Sequence, residues 1–396
     1  MSRSTPRIPA ALAALALAAG LVAATPASAS ERARSSGGTA PVATERYVAL
    51  GDSFVSGPGI PQQLDGCYRS DKNFVRLVAA DLRIASFTDA SCSAALATHY
   101  WNPQTLGGYT NPAQLDALDR DTTLVTLGTM GGNDVGLVGL ANTCISQGCS
   151  TLDPTPFHAA IDALVPVYRQ SIEDVRERSP RADIVAVGYG TYVPRERCAA
   201  LGNATEADLA FLQGMIDRLS DTIGQVARQE RISFVDMRTI EGWQDHSACA
   251  PPEEQWVRGL ATYNDGAPLH PSTAGMAQMA AMALETIEPL VTARRAAERR
   301  VAAAARTVRL RAVCHGPKRN PRVTLRVTGG RGLVAGAHFR IGRTSVGSDV
   351  RAPYAVTRTV KSLRGARGRI SAKVVLRHGK VVRATSVTAK QPRCLR

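Results

Sequence analysis

The chain has 396 residues, of which 44% are hydrophobic, with 48 Lys/Arg, 33 Asp/Glu and eight cysteines. That is long and apolar enough for buried cores and two domains, which excludes a small scaffold held together by disulfides alone. The net charge of +15 is unevenly placed: residues 306–396 hold 23 Lys/Arg and one acid, Asp349, a net +22, leaving 25 basic and 32 acidic residues, a net −7, over residues 1–305.

In chain order, Arg3 and Arg7 precede an Ala/Leu run from Ile8 to Ala24, and Ala27-Ser28-Ala29 follows. This is the pattern of a secretory signal peptide over residues 1–29, short and alanine-rich for a membrane anchor, with an uncleaved anchor as the alternative. Residues 30–44, rich in Ser, Gly, Arg, Thr and Pro, read as a flexible linker. Tyr47-Val48-Ala49-Leu50 is a buried strand that stops at Gly51-Asp52-Ser53. Ser70 is placed to cap a helix through Leu82, and Ile84–Thr88 is a short strand. Pro112–Leu118 suggests a short helix. Thr123–Leu127 is a strand running into Gly131-Gly132-Asn133-Asp134. Helices over Phe157–Arg178 and Glu206–Arg228 alternate with strands at Ile184–Gly188 and Ser233–Asp236, and a helix from Ser272 to about Glu298 closes the region. Alternating strands and helices predict a parallel sheet in a flavodoxin-like, doubly wound α/β layer over residues 45–292.

Residues 293–306 are Ala/Arg-rich and read as a helical linker. Beyond them the period changes to short strands, at Val308–Val313, Arg322–Thr328, Phe339–Ile341, Tyr354–Val360, Ile370–Leu376 and Val381–Val387. They predict a small all-β sandwich over residues 307–396, which Cys314 and Cys394 most simply close on itself. None of the eight cysteines forms a C-x-x-C spacing, and an even number in an exported chain argues for disulfides. No metal-ligand cluster is visible, and neither metal nor cofactor is called for.

Three strand ends, at Ser53, at Cys92-Ser93-Ala94-Ala95 and at Asn133, face one edge of a parallel sheet, where such folds place their ligands. A serine nucleophile there needs a base and donors for an oxyanion. Before the basic region the available bases are His99, His158, His246 and His270. His158 falls on a helix, His246 sits beside Cys249 in a loop, and His99 adjoins Tyr100-Trp101. His270 lies in a loop after the fifth strand and returns to the sheet edge that carries Ser53, so topology favours it.

Gly51-Asp52-Ser53-Phe54, Gly131-Gly132-Asn133-Asp134 and Leu269-His270-Pro271 resemble, in order, three blocks of the GDSL or SGNH hydrolases. Cys67-Tyr68-Arg69-Ser70 and Cys92-Ser93 further resemble their secreted actinobacterial lipase/esterase branch. The resemblance covers about residues 45–290. It implies an ester hydrolase working through an acyl-enzyme on Ser53, with His270 as base, and an oxyanion hole from the Ser53 N–H, the Asn133 amide and the Ala94 N–H. It also implies the pairs Cys67–Cys92, Cys144–Cys149 and Cys198–Cys249, leaving Cys314–Cys394 for the β domain. Two positions depart from the family pattern. Ala94 stands where the family has glycine, and Ala267 stands where it has the triad aspartate, three residues before the histidine. Either Asp265 bends toward His270 or the Ala267 carbonyl, which keeps the spacing, accepts the imidazole N–H.

These readings predict a secreted, extracellular lipase/esterase. Alternatives are a carbohydrate-ester deacetylase or phospholipase of the same family, or a surface-binding protein with an inactive hydrolase domain. The charge of residues 307–396 points to an anionic surface, cell wall or lipid. Their few aromatics, Phe339 and Tyr354, argue against a stacking platform for single-stranded nucleic acid. Asp349–Tyr354 weakly resembles bacterial Ig-like domains.

Overall fold

A computed structural model describes residues 45–395. The expected signal peptide and linker lie outside the described residues. The first strand, β1 (Arg46–Leu50), is followed by one helical turn, α1 (Ser53–Ser56), then α2 (Phe74–Asp81), β2 (Ser86–Asp89) and a hairpin of β3 (Gln104–Leu106) and β4 (Tyr109–Asn111). Next come β5 (Leu124–Leu127), α3 (Leu137–Ser146), α4 (Thr155–Arg178), β6 (Asp183–Val187), α5 (Glu206–Gln229), β7 (Ser233–Val235) and a long helix, α6 (Thr273–Thr307). The sheet is parallel throughout, in the order β2-β1-β5-β6-β7. α2 packs on α6, while α3 and α4 both pack on α5. This is the expected flavodoxin-like α/β architecture, and its strands are short, apolar and buried, as parallel strands covered by helices are.

Several boundaries differ from the sequence reading. α2 begins at Phe74, not after Ser70, because Asn73 is the cap: its side chain accepts the Arg76 N–H at 3.1 Å. Ser70 instead makes a local turn, accepting the Lys72 N–H at 3.0 Å. The expected helix near 112–118 is a single 3₁₀ turn, Gln114–Ala117. Two elements were not anticipated. The β3–β4 hairpin lies in a polar loop, and α3 begins behind a glycine-rich block with no side-chain cap to announce it. The Ala/Arg-rich stretch at 293–306 is the end of α6 itself, which runs through Pro289 without a break to Thr307.

The C-terminal region follows as β8 (Arg309–His315), β9 (Arg322–Thr328), β10 (Val334–Ile341), β11 (Thr344–Asp349), β12 (Ala355–Thr359), β13 (Ile370–His378) and β14 (Val381–Ala389). Two antiparallel sheets, β11-β10-β13-β14 and β12-β9-β8, enclose a core that includes Val323, Leu325, Phe339, Ile370 and Leu376. Sequence reasoning missed β11 and the first half of β10, where Gly336 and Gly347 interrupt the alternation. Val301 and Ala304 of α6 enter this same core. Lys380 reaches across to the start of β6, donating to the Ala182 carbonyl at 2.7 Å and to Asp183 at 2.8 Å. The disulfides are Cys67–Cys92, Cys144–Cys149, Cys198–Cys249 and Cys314–Cys394.

Candidate active site

β1 delivers Ser53 through a turn with no room for side chains. A Cβ on Gly51 would stand 2.3 Å from a Val55 methyl. Gln114 pins that glycine from both sides, accepting its N–H at 2.8 Å and donating to its carbonyl at 2.9 Å. Asp52 caps α1, accepting the Phe54 N–H at 3.0 Å, so Ser53 sits on the first helical turn and lines a pocket. His270 comes from the loop before α6. Its Nε2 lies 2.8 Å from Ser53 Oγ, and its Nδ1 lies 2.7 Å from the Pro268 carbonyl.

Neither expected orienting group behind His270 is the one observed. Asp265 faces away: one carboxylate oxygen pairs with Arg258 at 2.7 Å and the other accepts the Thr273 N–H at 3.1 Å. Burial alone would raise its pKa, but the bonds from Thr273 and Arg258 bring it below the usual carboxylate value. The Ala267 carbonyl is occupied as well. Ala267-Pro268-Leu269-His270 forms a β-turn in which the His270 backbone N–H donates to the Ala267 carbonyl at 3.2 Å. Proline at the second position and a left-handed third residue, Leu269 at φ +60°, are the marks of a type II turn. That geometry leaves the carbonyl two residues back, Pro268, for the imidazole. Asp265→Ala should therefore change kcat by less than about tenfold, since no charge reaches His270. It should still lower stability by about 2 kcal/mol, because Arg258 loses its carboxylate at a nearly buried position. Paired kinetics and thermal melts check both halves.

The stretches 92–95 and 131–134 meet at the same place. Ala94 is left-handed, with φ +59°, the conformation in which glycine is unstrained and alanine is not. Among the described residues its backbone N–H and that of Ser53 have no acceptor. Ser93 Oγ lies 2.8 Å from Ser56 Oγ and fastens the block to α1. Asn133 donates one amide N–H to the Ala95 carbonyl at 3.0 Å, leaving the other N–H of that amide for a ligand. Asp134 accepts the Ala97 N–H with both oxygens.

Sequence reasoning missed the residues that hold these blocks in register. Tyr189, just past β6, donates to the buried carboxylate of Asp52 and accepts the Gly132 N–H at 2.9 Å. A Cβ on Gly132 would stand 2.9 Å from that hydroxyl. Thr129 also donates to Asp52, at 2.8 Å. Burial pushes the Asp52 carboxyl up to about 6, against the lowering effect of its hydrogen bonds from Tyr189, Thr129 and the Phe54 N–H. The glycines flanking Tyr189 were the available signal, marking a tight backbone at a strand end. Phe54 packs against the His270 ring with centroids 4.8 Å apart and stacks on Tyr192 at 4.7 Å, so the imidazole is held by an aromatic face as well as by a carbonyl. Burial lowers the His270 pKa, and the Pro268 carbonyl opposes this in part.

Of the other histidines, His246 stacks on Trp256 at 4.1 Å and bonds the Glu254 carbonyl. His99 Nδ1 accepts the Leu96 N–H, and His158 lies on α4. The pocket that Ser53, Asn133 and His270 line is walled by apolar side chains of α3 (Leu137, Ala141, Ile145) and α5 (Leu209, Leu212, Ile216) and by Tyr192.

Residues 49–278 match the GDSL-like lipase/acylhydrolase family. Lipase 2 of Streptomyces coelicolor is 30% identical over 259 residues, covering 61% of this chain and 85% of that protein. An esterase of Streptomyces scabiei is 32% identical over 266 residues, covering 54% and 75% respectively. Among solved structures, phospholipase A1 from Streptomyces albidoflavus superposes with a TM-score of 0.50 at 25% identity, covering 61% of this chain and 99% of that one. The chain belongs to the GDSL-like lipase/acylhydrolase family and is an ester hydrolase of the lipase/esterase type.

Proposed function

We propose that the protein is a secreted serine esterase acting through an acyl-enzyme, with a preference for medium or long acyl chains. The observation that carries this reading is the Ser53–His270–Pro268 relay at the mouth of an apolar pocket. His270 Nε2 takes the Ser53 proton as Oγ attacks the ester carbonyl. The Ser53 N–H, the Asn133 amide and the Ala94 N–H receive the oxyanion. As the tetrahedral intermediate collapses, His270 returns the proton to the leaving alcohol, and a water deprotonated by His270 then releases the acid. The Pro268 carbonyl holds the tautomer that keeps Nε2 free to accept, but supplies no negative charge for the imidazolium. Turnover of p-nitrophenyl acetate, butyrate and palmitate, with Ser53→Ala as the control, tests the reading. A Ser53→Ala protein that still turned over these esters would overturn it.

The apolar walls favour this over a carbohydrate-ester deacetylase, whose acetyl group would leave the pocket empty. The likeness to a phospholipase A1 supports a phospholipid as a second substrate class. Four disulfides support export and an extracellular site. In this reading residues 1–29 are a signal peptide, 30–44 a linker and 45–292 the catalytic domain. The end of α6, at 293–306, carries an Ig-like domain, residues 307–396, whose charge adsorbs the enzyme to an anionic surface.

The pH dependence follows from two groups. His270 must be neutral to act as base, and its lowered pKa keeps it neutral to below pH 6.5. Activity should therefore persist at pH 6.5 and fall only below it. Asp52, with its folded pKa raised to about 6 from 3.8, binds its proton longer in the folded state than in the unfolded one. Its contribution to stability thus falls as pH rises from about 4 to 6. Asp52→Asn should flatten that part of the stability curve and cut kcat by about tenfold, because an amide cannot accept from Tyr189, Thr129 and Phe54 together. The acid limb of kcat/KM should survive the substitution. A limb that vanished would assign it to Asp52 rather than His270.

A further inference from the structure

Apart from the catalytic pocket, the strongest feature is one face of the C-terminal domain. Along β8 the buried Leu310 alternates with exposed Arg309 and Arg311, and along β9 the buried Val323, Leu325 and Val327 alternate with Arg322 and Arg326. The antiparallel register sets Arg311 directly opposite Arg326, and Arg322 opposite His315. β12 adds Thr357 and Thr359 beside them on the same outward face. Like charges directly opposite one another on a sheet destabilise it. Here they have no compensation: among the described residues, the side chains of Arg311, Arg322 and Arg326 meet no carboxylate and no other acceptor. The single acid of the region, Asp349, is engaged by the backbone N–H groups of Arg351 and Ala355. A face that keeps guanidinium groups in register across strands, with threonine hydroxyls between them, is arranged for repeated anions.

Its position matters as much as its charge. Lys380 and Arg294 both meet Asp183, the first residue of β6. The domain therefore docks at the edge where the parallel strands begin, whereas Ser53 lies where they end. α6 starts three residues after His270 and spans about 50 Å toward the β domain. An occupant of the β domain is therefore held at the end of the parallel sheet opposite Ser53.

Among the described residues the face carries no Phe, Tyr or Trp, its one ring is the His315 imidazole, whose Nε2 lies 2.8 Å from Thr324 Oγ1, and its one large exposed apolar residue is Val313. It therefore has no large apolar group to insert into a bilayer, and its single imidazole, tied to Thr324, makes no platform for base stacking. Arg forks match phosphate oxygens bidentately; Arg309 and Arg311 lie about 7 Å apart along β8, and Arg322 and Arg326 about 13 Å apart along β9, with Arg311 directly across from Arg326. We propose that the outer face of the β8–β9–β12 sheet binds a hydrophilic phosphodiester polymer, a polyol phosphate, and holds the enzyme with its pocket turned away from that surface. This rests on the reading that residues 307–396 adsorb to an anionic surface, and specifies the face, the partner and the orientation.

The test uses the full chain on beads bearing poly(glycerol phosphate), at about 50 mM salt, where the Debye length is still longer than 10 Å. Arg311→Ser/Arg326→Ser should weaken retention at least ~10-fold, through loss of two charge-assisted contacts. Arg364→Ser/Arg367→Ser, an equal charge change in an exposed loop, should weaken it by less than about threefold. All three proteins should turn over p-nitrophenyl butyrate equally, and the bead-bound wild type should keep its activity. Equal loss in both double variants would overturn the assigned face while leaving anionic adsorption standing. A wild type that is not retained would overturn both readings. Tighter retention on phosphatidylglycerol vesicles would overturn the partner, and silent bead-bound enzyme the orientation.

Discussion

Ser53→Ala and His270→Gln should each lower kcat by about 10⁴-fold or more, and the double substitution should cost little more than either alone. The expectation comes from geometry. Ser53 Oγ and His270 Nε2 share one hydrogen bond of 2.8 Å, so removing either leaves the other without a task. What should remain is the activity due to the oxyanion donors and the pocket, since Asn133 is held by the Ala95 carbonyl and not by either residue. Asn133→Ala in the Ser53→Ala background therefore separates the two contributions. It should lower the residual rate further, whereas His270→Gln should not. Burst kinetics and steady-state rates on p-nitrophenyl butyrate measure this. A double variant of Ser53 and His270 that was slower by the product of the two single losses would show that they act independently and would sink the relay.

The α/β architecture was legible because its strands are continuous apolar runs ending in glycine, as at Leu50-Gly51 and Leu127-Gly128, and because α4 and α5 are long and amphipathic. Ser53 and His270 were legible because topology returns both loops to one sheet edge. The group behind His270 was not. Which carbonyl meets the imidazole depends on a left-handed Leu269, and leucine gives no sign of that conformation. Spacing offered Asp265, the nearest carboxylate in sequence, and the Ala267 carbonyl, and the imidazole meets the Pro268 carbonyl instead. Arg258, the partner of Asp265, lies on the opposite strand of an isolated bridge that pairs Val257 with Pro271, a contact that spacing cannot reveal. Asp52 and Tyr189 illustrate a related limit, for they are 137 residues apart and their pairing exists only once β1 and β6 stand either side of β5. The arginine face was visible as composition, but its cross-strand register needed the sheet.

The pocket should make chain length the main determinant of substrate choice, and Ala141→Phe should reverse it. In the wild type, each buried methylene contributes about 0.8 kcal/mol, so four or five methylenes seated between α3 and α5 raise kcat/KM by ~10²-fold or more over acetate. Ala141 is 7% exposed, sits mid-way along α3 and lines the pocket opposite Leu212 and Ile216 of α5. A phenyl group there occupies the space that an acyl chain needs, while Ser53, Asn133 and His270 stay at the mouth. The variant should keep acetate turnover within about threefold and lose palmitate turnover by ~10²-fold. Because the added ring enters open space rather than packed core, the melting temperature should change little. The loss should appear in KM for butyrate, whose chain can still reach Ser53, and in kcat for palmitate, whose longer chain would hold the ester away from Oγ. A profile already flat in the wild type would remove the acyl chain from this pocket. It would assign the apolar walls instead to an alcohol group, so that varying the leaving group at a fixed acetyl would then show the hundredfold range.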